Sequence, residues 1–211
     1  MDTHIIEALK WRYATKQFDT EKKVNDSDIN TLLEVMRLAP SSQGLLPWKA
    51  FLVADEKIRG QLKAAAWNQA QLTDASHLIV FTARKDIDEH YIDSYLKEVV
   101  KQRNQKWEDI QGYRNMLLGS IAGKTPEKLF EWNARQAYIS LGFLLEAAAL
   151  MKIDACPMEG FDTAQFDAIL KLNETEYRTV VIAAVGYRST ADKYALAQKV
   201  RFAKDEVIKK I

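Results

Sequence analysis

The residues best suited to binding an anion are two pairs of cations, one near each end of this 211-residue chain. Arg12 and Lys16 lie four positions apart in "RYATK" with no carboxylate between them, and Lys199 and Arg201 lie two apart. Positions i and i+4 share a side of a helix or a strand, and positions i and i+2 share a side of a strand. Either pair alone is typical of solvated surface. Together they favour a phosphate site, where arginine binds bidentately and lysine acts as a point charge.

Two further segments have the composition of binding loops. Residues 39–48, "APSSQGLLPW", carry no charge and combine two hydroxyls with apolar side chains, which is unusual for a loop that faces only water. In residues 156–161, "CPMEGF", Pro157 and Gly160 bracket a predicted turn. Glycine permits close backbone approach, so free N–H groups there could face a flat ligand, although the segment alone is merely a turn.

Several familiar motifs are absent or incomplete. Residues 119–125, "GSIAGKT", resemble a phosphate-binding P-loop, but three residues separate the glycines instead of four, and no buried strand precedes them. The sequence contains neither G-x-G nor G-x-S-x-G, so neither a dinucleotide fingerprint nor a hydrolase elbow is indicated. His4, His77 and His90 lack metal-ligand spacing, and we interpret His77 as a core histidine. Cys156 is expected to pack as a small apolar group.

Composition narrows the classes of partner and compartment. The 30 Lys and Arg balance 29 Asp and Glu, so no nucleic-acid partner is predicted. A single cysteine excludes an internal disulfide, and the first residues lack a signal-peptide pattern; both favour the cytoplasm. Residues 137–151 are apolar but too short to span a membrane, and no membrane association is predicted. This helix is expected to be buried on nearly every side, in the core or at a subunit interface.

Alternating helices and strands predict an α/β or α+β fold in one domain, residues 1–211. The predicted helices cover residues 3–11, 26–39, 56–66, about 88–105, 125–151 and 162–170, and the predicted strands cover residues 48–54, 76–83, 152–156 and 179–187. Residues 106–124 give no clear pattern. From Arg188 onward the chain is predicted to be an extended polar tail with a short terminal helix, and a tail of that length needs a surface to lie on, such as a second subunit.

Five segments together resemble the FMN-dependent nitroreductase family, in its oxygen-insensitive NAD(P)H nitroreductase and flavin reductase branch. They are "RYATKQFD", "APSSQGLLPW", "DASH", "PMEGFD" and "KVR", in that order, from residue 5 to about residue 201. The resemblance implies an α+β fold of three layers, with a mostly antiparallel central sheet and helices on both sides. It also implies a homodimer with one FMN in each dimer cleft and a C-terminal segment exchanged between subunits.

The resemblance also implies which residues contact FMN. One subunit would contribute Arg12, Tyr13, Ala14, Lys16, Asn68, Gln71, Pro157, Glu159, Gly160, Lys199 and Arg201. The partner subunit would contribute Pro40, Ser41 and Ser42, and Gly44 is also among the implied FMN-binding residues.

Within that set, the roles divide by position. Arg12, Lys199 and Arg201 would hold the phosphate, and Tyr13 and Ala14 would lie beside the ribityl chain. Lys16 and Asn68 would face the pyrimidine edge of the flavin, where the charge of Lys16 would support the reduced state without any side-chain acid or base. The backbone N–H groups of Glu159 and Gly160 would meet flavin N5 and O4.

Some positions depart from the family pattern. Tyr13 and Ala14 stand where relatives often have histidine and serine, Gly44 and Leu46 replace an asparagine and a glutamine, and Gln71 replaces a lysine. The implied reaction is a two-step hydride exchange from NAD(P)H to nitroaromatics, quinones or flavins, with residues 106–124 as a helical lid. Three alternatives stay open: another acceptor such as a dihydropteridine, an enone or a halogenated aromatic; a flavin-binding protein without turnover; and an FMN-free structural dimer.

Overall fold

The computed structural model describes residues 3–211, except for the side chain of Thr3. Four antiparallel strands form the central sheet of this part of the chain. The strands are β1 (Trp48–Val53), β2 (His77–Arg84), β3 (Asp154–Met158) and β4 (Tyr177–Gly186). Their order across the sheet is β1-β2-β4-β3. Val80 pairs with Ile182 in the centre, and Cys156 pairs with Ala184 at the β3 side. The predicted α+β architecture with an antiparallel sheet is confirmed.

Alternate residues of the strands face two separate layers of helices, because successive side chains of a strand point to opposite faces. Val80 and Ile182 face a core formed with α3 (Glu56–Ala65), α4 (Gln71–Asp74) and α8 (Thr163–Ile169). Phe81 and Val181 face a core formed with α2 (Asp26–Leu38) and α7 (Pro126–Leu150). This arrangement gives the three predicted layers.

Helix α7 crosses one face of the sheet and begins where the sequence predicts. The Thr125 hydroxyl accepts a hydrogen bond from the Lys128 N–H at 3.3 Å, and Pro126 occupies the first turn. The expectation that this helix is buried on nearly every side is wrong for the single chain. Tyr138, Ile139 and Phe143 form an exposed stripe. The helix is apolar on most sides because one apolar face packs on the sheet and a second apolar face is exposed.

Residues 106–124, which gave no clear pattern, are helical. After α5 (Glu89–Arg103), a 3-10 turn at Trp107–Ile110 leads into α6 (Gln111–Ala122). Arg114 of α6 pairs with Asp93 of α5 at 2.6 Å. The helix has no side-chain cap at its N-terminus and contains Gly112 and Gly119, so the usual start signal and apolar periodicity are both weak.

Three local predictions need correction. Strand β3 begins two residues later than predicted and contains Pro157, which the turn interpretation had placed outside it. Proline is tolerated because β3 is an edge strand, where a missing N–H removes little of the ladder. Strand β4 begins earlier than predicted, at Tyr177. His77 is only half-buried, and its Nδ1 lies 3.0 Å from the Ser76 hydroxyl oxygen, so it is not a core histidine.

Helix α1 (Thr3–Trp11) and the C-terminal segment complete the fold. The segment carries a 3-10 turn at Lys193–Leu196 and the short helix α9 (Lys204–Val207), as the predicted extended tail with a terminal helix requires. Its apolar side chains stand in solvent: Leu196, Val200 and Phe202 are 92%, 83% and 80% exposed. Across residues 3–211, no helix is both long enough and apolar enough to cross a membrane.

Candidate functional site

The Arg12–Lys16 loop is fixed beside the edge of the sheet. Helix α1 ends at Trp11, and the N–H of Arg12 still donates to the Ala8 carbonyl at 3.0 Å. The chain then becomes extended, and Ala14 forms a parallel bridge with Ala155 of β3. In an extended chain, Arg12, Ala14 and Lys16 share one side, as the sequence predicts.

The two predicted cation pairs meet in one cavity of about 400 Å³. It lies between the loop and the C-terminal segment, and Arg12, Lys16, Lys199 and Arg201 all line it. The Lys199 ammonium donates to the Arg12 carbonyl, which joins the two segments directly. Segments almost two hundred residues apart in sequence therefore form a single cationic site.

The cations of this cavity repel one another. Burial and then the positive charge of Arg201 lower the pKa of Arg12. Burial, Arg12 and Arg201, in that order, lower the pKa of Lys199. Both shifts disfavour the protonated forms, so an anion in the cavity would relieve the repulsion and favour them.

The turn after β3 is held from both sides. The Gln69 amide donates to the Gly160 carbonyl at 2.7 Å, and the Tyr138 hydroxyl donates to the Glu159 carboxylate at 2.5 Å. Burial, and then this hydrogen bond, raise the pKa of Tyr138. A side chain at Gly160 would also meet the ring of Trp67, because an added Cβ there lies 2.7 Å from Trp67 Cζ3. Glycine at this position therefore allows the Trp67 ring to lie against the backbone.

The segment before α4 approaches the same turn. Trp67 and Asn68 both adopt left-handed backbone angles, with φ of 52° and 57°. The side chain of Asn68 is exposed, whereas Gln71 is buried in the first turn of α4. Asn68 therefore lies between two residues that contact Gly160, Trp67 and Gln69, but it lines neither the cationic cavity nor the wall of the cavity beside the turn.

The uncharged loop after α2 lies elsewhere on the chain and is rigidly held. The Ser42 N–H donates to the Gln136 side chain at 2.8 Å, and the Ser41 hydroxyl accepts from the Leu46 N–H at 2.9 Å. Gly44 has φ of 71°, in the left-handed region that favours glycine. Pro40 and Ser42 are exposed. The loop thus presents a fixed surface outward.

A second cavity of about 480 Å³ lies beside the turn, between α7 and the end of β3. It is lined by Tyr138, Leu141, Gly142, Leu145, Pro157, Met158, Glu159 and Val181. Its wall includes part of the exposed stripe of α7, so it opens on the same side as that stripe.

Sequence reasoning missed three charged residues behind the loop. Asp192 is 3% exposed and accepts hydrogen bonds from the Tyr13 hydroxyl and from the N–H groups of Lys16 and Gln17. Burial, and then the hydrogen bond to Asp192, raise the pKa of Tyr13 to about 12. Asp154 pairs with Arg188, with Arg188 Nη2 2.6 Å from Asp154 Oδ1. In sequence, all three resemble ordinary surface charges.

The structure also bears on three further predictions, which concern metal binding, Cys156 and the segment that resembles a P-loop. Among residues 3–211, no group of three or more His, Cys, Asp and Glu side chains could hold a metal ion. Cys156 is buried in the core, as predicted, and its burial raises the pKa of the thiol despite the nearby charges of Lys16 and Arg12. Residues 119–122 lie inside α6, so the P-loop-like segment is helical rather than a phosphate-binding loop.

The antiparallel sheet, the helices on both faces and the cavity beside the edge strand define an α+β protein in which cations from two distant segments of the chain line one cavity. The sequence profile of the nitroreductase family matches residues 9–187. A Staphylococcus saprophyticus protein provisionally named an NAD(P)H nitroreductase is 36% identical over 222 aligned residues, covering 99% of this chain and 97% of the relative. This chain belongs to the nitroreductase family.

Two solved structures share the fold at lower sequence identity. A Bacillus subtilis protein provisionally described as a nitroreductase has a TM-score of 0.89 and 18% identity, with both chains fully covered. A protein described in the same way from Exiguobacterium sibiricum, in complex with FMN, has a TM-score of 0.82 and 18% identity, covering 98% of this chain and 97% of that chain.

Proposed function

We propose that this protein is an FMN-dependent oxidoreductase that uses NAD(P)H to reduce nitroaromatics, quinones or flavins. Family membership supports the reaction class, and the relative's provisional name agrees with NAD(P)H as donor. The observation that carries the proposal is the cavity that gathers Arg12, Lys199 and Arg201, with Lys16 also in its lining. Three cations that converge from two segments are typical of a site that binds a phosphate group.

The residues of the cavity fit the phosphate of FMN. A phosphate dianion would offset the mutual repulsion that lowers the pKa values of Arg12 and Lys199. Arg201 reaches the cavity from an exposed segment, and its guanidinium is held only by the neighbouring Val200 carbonyl at 2.6 Å. It is therefore available to bind an oxyanion bidentately.

FMN, when bound, supplies the group that accepts a hydride from NAD(P)H and passes it to the acceptor. The residues of this chain bind and orient it. Lys16 supplies a positive charge at the flavin ring, and Asn68 offers an amide to the same edge. The turn at Glu159 and Gly160 offers backbone N–H groups, and its fixed position keeps them from reorganising during the reaction. No side chain is required as an acid or base for the hydride step.

A homodimer with exchanged C-terminal segments completes the proposal. The uncharged loop would contact the partner's FMN through Pro40, Ser41 and Ser42, since its residues do not line the cationic cavity of their own chain. The exposed apolar side chains of α7 and of the C-terminal segment support a large apolar interface, because monomers rarely leave so many large apolar groups in water.

The departures at Gly44, Leu46 and Gln71 concern the acceptor rather than FMN binding. Gly44 and Leu46 leave one wall of the proposed pocket less polar than in relatives, and Gln71 is buried and uncharged. We therefore expect apolar aromatic acceptors to be preferred to charged ones. Helix α6 would cover the acceptor as a lid.

The visible spectrum of the purified protein tests this function. The expected result is a yellow protein whose flavin absorbance bleaches when NADPH or NADH is added without oxygen, and recovers with a quinone or a nitroaromatic. A yellow protein that neither donor bleaches would show flavin binding without turnover. A colourless protein that takes up no added FMN would overturn the proposal. A panel of acceptors including an enone and a dihydropteridine would identify the acceptor class.

A further inference from the structure

The side of the Arg12–Lys16 loop that faces away from the cavity is anchored by two buried carboxylates. Arg12, Ala14 and Lys16 line the cavity, and the side chains between them have other partners. The Tyr13 hydroxyl, whose ring also borders the cavity, donates to Asp192 Oδ2 at 2.9 Å, and the Thr15 hydroxyl lies 3.4 Å from Asp154 Oδ1. The hydroxyls of Tyr13 and Thr15 therefore connect the loop to the two carboxylates, and the Tyr13 ring also borders the cavity.

Asp192 joins two segments of the site through four donors. Its Oδ2 accepts from the Tyr13 hydroxyl at 2.9 Å and from the N–H groups of Lys16 and Gln17 at 2.8 and 3.1 Å. Its Oδ1 accepts from the Tyr194 N–H at 3.0 Å and so caps the 3-10 turn that leads to Lys199. Burial alone would raise the pKa of Asp192, but these hydrogen bonds hold it below its usual range, so the carboxylate is charged at neutral pH.

Arg188 ties the second carboxylate to the same loop. Its backbone N–H and its Nε donate to Asp154 Oδ2 and Oδ1, each at 2.8 Å, while its Nη2 lies close to Oδ1 without hydrogen-bond alignment. Its guanidinium carbon lies 4.1 Å from the centre of the Trp11 ring and 4.6 Å from that of Tyr13. The residues on both sides of Arg12 are thus held against one cation.

We infer that Asp192 is a positioning residue for phosphate recognition: its carboxylate fixes the Tyr13–Gln17 backbone against the start of the C-terminal segment, and thereby sets Arg12 opposite Lys199 and Arg201. This inference rests on the proposed function, because it presumes that the cavity binds the phosphate of FMN. Without this link, the repelling cations would separate and the phosphate would lose simultaneous contact with both segments.

The test is the preference of the full-length protein for FMN over riboflavin, which lacks the phosphate. If a variant only lowers the folded fraction, both apparent dissociation constants rise by the same factor and their ratio stays constant. Asp192→Asn is expected to reduce the ratio of riboflavin to FMN dissociation constants by about tenfold, or ~1.4 kcal/mol. Tyr13→Phe removes one of the four donors and keeps the ring. It is expected to reduce the same ratio by a smaller factor, which corresponds to roughly a third of that free energy.

Asp55→Asn is the matched control, because the Asp55 carboxylate also caps a helix, accepting from the Ile58 N–H at 2.9 Å, but lies outside the cavity. It should leave the ratio unchanged. If Asp192→Asn fails to fold, Tyr13→Phe carries the test. A wild-type protein that prefers FMN, with variants that keep the same preference, would overturn the inference alone. A wild-type protein with no preference for FMN would instead overturn the proposed function.

Discussion

At the scale of single residues, the four cations of the cavity are held in different ways. The backbone of Lys16 is fixed by Asp192 while its side chain is exposed. Arg12 is half-buried, and the Lys199 ammonium donates to its carbonyl. Arg201 is exposed on the C-terminal segment. Because their side chains reach the cavity from different positions, single substitutions can test their contributions to cofactor binding and to chemistry one at a time.

Lys16→Met should slow flavin reduction more than it weakens FMN binding. The substitution removes the positive charge proposed to support the reduced flavin, while the phosphate anchors remain, and Gln71 provides no second cation. We expect reduction by NADPH to slow roughly 10- to 100-fold, which corresponds to ~1.4–2.8 kcal/mol of barrier. Stopped-flow absorbance measures the rate. Lys57→Met, on the exposed face of α3, is the control. An unchanged reduction rate in Lys16→Met would contradict the assigned role.

Arg201→Ala should weaken FMN binding and leave the fold intact. The residue is exposed and outside every core cluster of residues 3–211, so truncation creates no cavity. A charge-assisted hydrogen bond contributes about 1.5–3 kcal/mol, so the FMN dissociation constant should rise by roughly 10- to 100-fold. Fluorescence titration with riboflavin should give nearly equal constants for wild type and variant. Lys210→Ala, on the same segment, is the control. If Arg201→Ala weakens riboflavin binding as much as FMN binding, the assignment of Arg201 to the phosphate is refuted.

The residue scale also shows where sequence reasoning stops. Arg12, Lys16, Lys199 and Arg201 could be grouped because spacing and charge are visible in the sequence. Asp192 could not, because its role depends on burial by a segment 175 to 179 positions away. A single sequence does not distinguish a buried carboxylate from the solvated ones around it.

At the scale of elements, helices with strong end signals were predicted well. Helix α7 has a capping hydroxyl and a proline in its first turn, and both ends fall within a residue or two of the prediction. The predicted bounds of strand β3 were wrong because a proline normally marks the end of a strand. The proline is tolerated inside β3 because β3 is an edge strand. Helix α6 lacks a cap and gave no clear pattern of its own, so only the resemblance to the family indicated that residues 106–124 are helical.

The loop that carries Gly44 is packed against helices α5 and α6. An added Cβ at Gly44 would lie 2.3 Å from the Tyr95 hydroxyl of α5, and its φ of 71° disfavours other residues. The Tyr113 hydroxyl of α6 donates to the Gln43 carbonyl at 2.8 Å. The loop and the lid should therefore respond together to substitution.

Gly44→Ala should destabilise the protein by about 2 kcal/mol or more, from left-handed strain of about 1–2 kcal/mol plus the steric clash. In a Tyr95→Phe background the cost should be lower by about 1 kcal/mol, because the clashing hydroxyl is gone. Denaturant unfolding measures both. Gly60→Ala in α3 is the control: nothing lies within 4 Å of the added Cβ, so stability should rise or stay constant. Equal costs of Gly44→Ala in both backgrounds would exclude the clash.

At the scale of the whole molecule, many large apolar side chains of the described residues lie outside the hydrophobic cores and are exposed. Most of them fall on three elements that are distant in sequence: α1 with Ile6, α7 with Phe143, and the C-terminal segment with Phe202. Helices α1 and α7 contact each other. Burial of these side chains against a partner subunit would explain why they are apolar, which the single chain does not.

The protein should therefore be a dimer that cannot retain FMN as a monomer. The proposed site needs Arg12 from one chain and the Ser41–Ser42 loop from the other, so separation of the subunits removes one wall of each cofactor site. Phe143→Glu places a charge in the exposed apolar stripe of α7, and burial of an unpaired charge costs several kcal/mol. Sedimentation velocity should show a dimer for wild type and a larger monomer fraction for Phe143→Glu, with flavin absorbance lost from the monomer boundary.

Ala168→Glu is the matched control for charge, because Ala168 is exposed on α8, on the opposite face of the sheet from α7. This variant should stay dimeric and yellow. Adding FMN in excess to Phe143→Glu should shift the population back toward dimer, since a ligand that binds only the assembled site stabilises it by a free energy that grows with the logarithm of the ligand concentration. A wild-type monomer carrying one FMN per chain would show that each subunit builds its site alone, and the contribution of the uncharged loop to the partner's site would then be wrong.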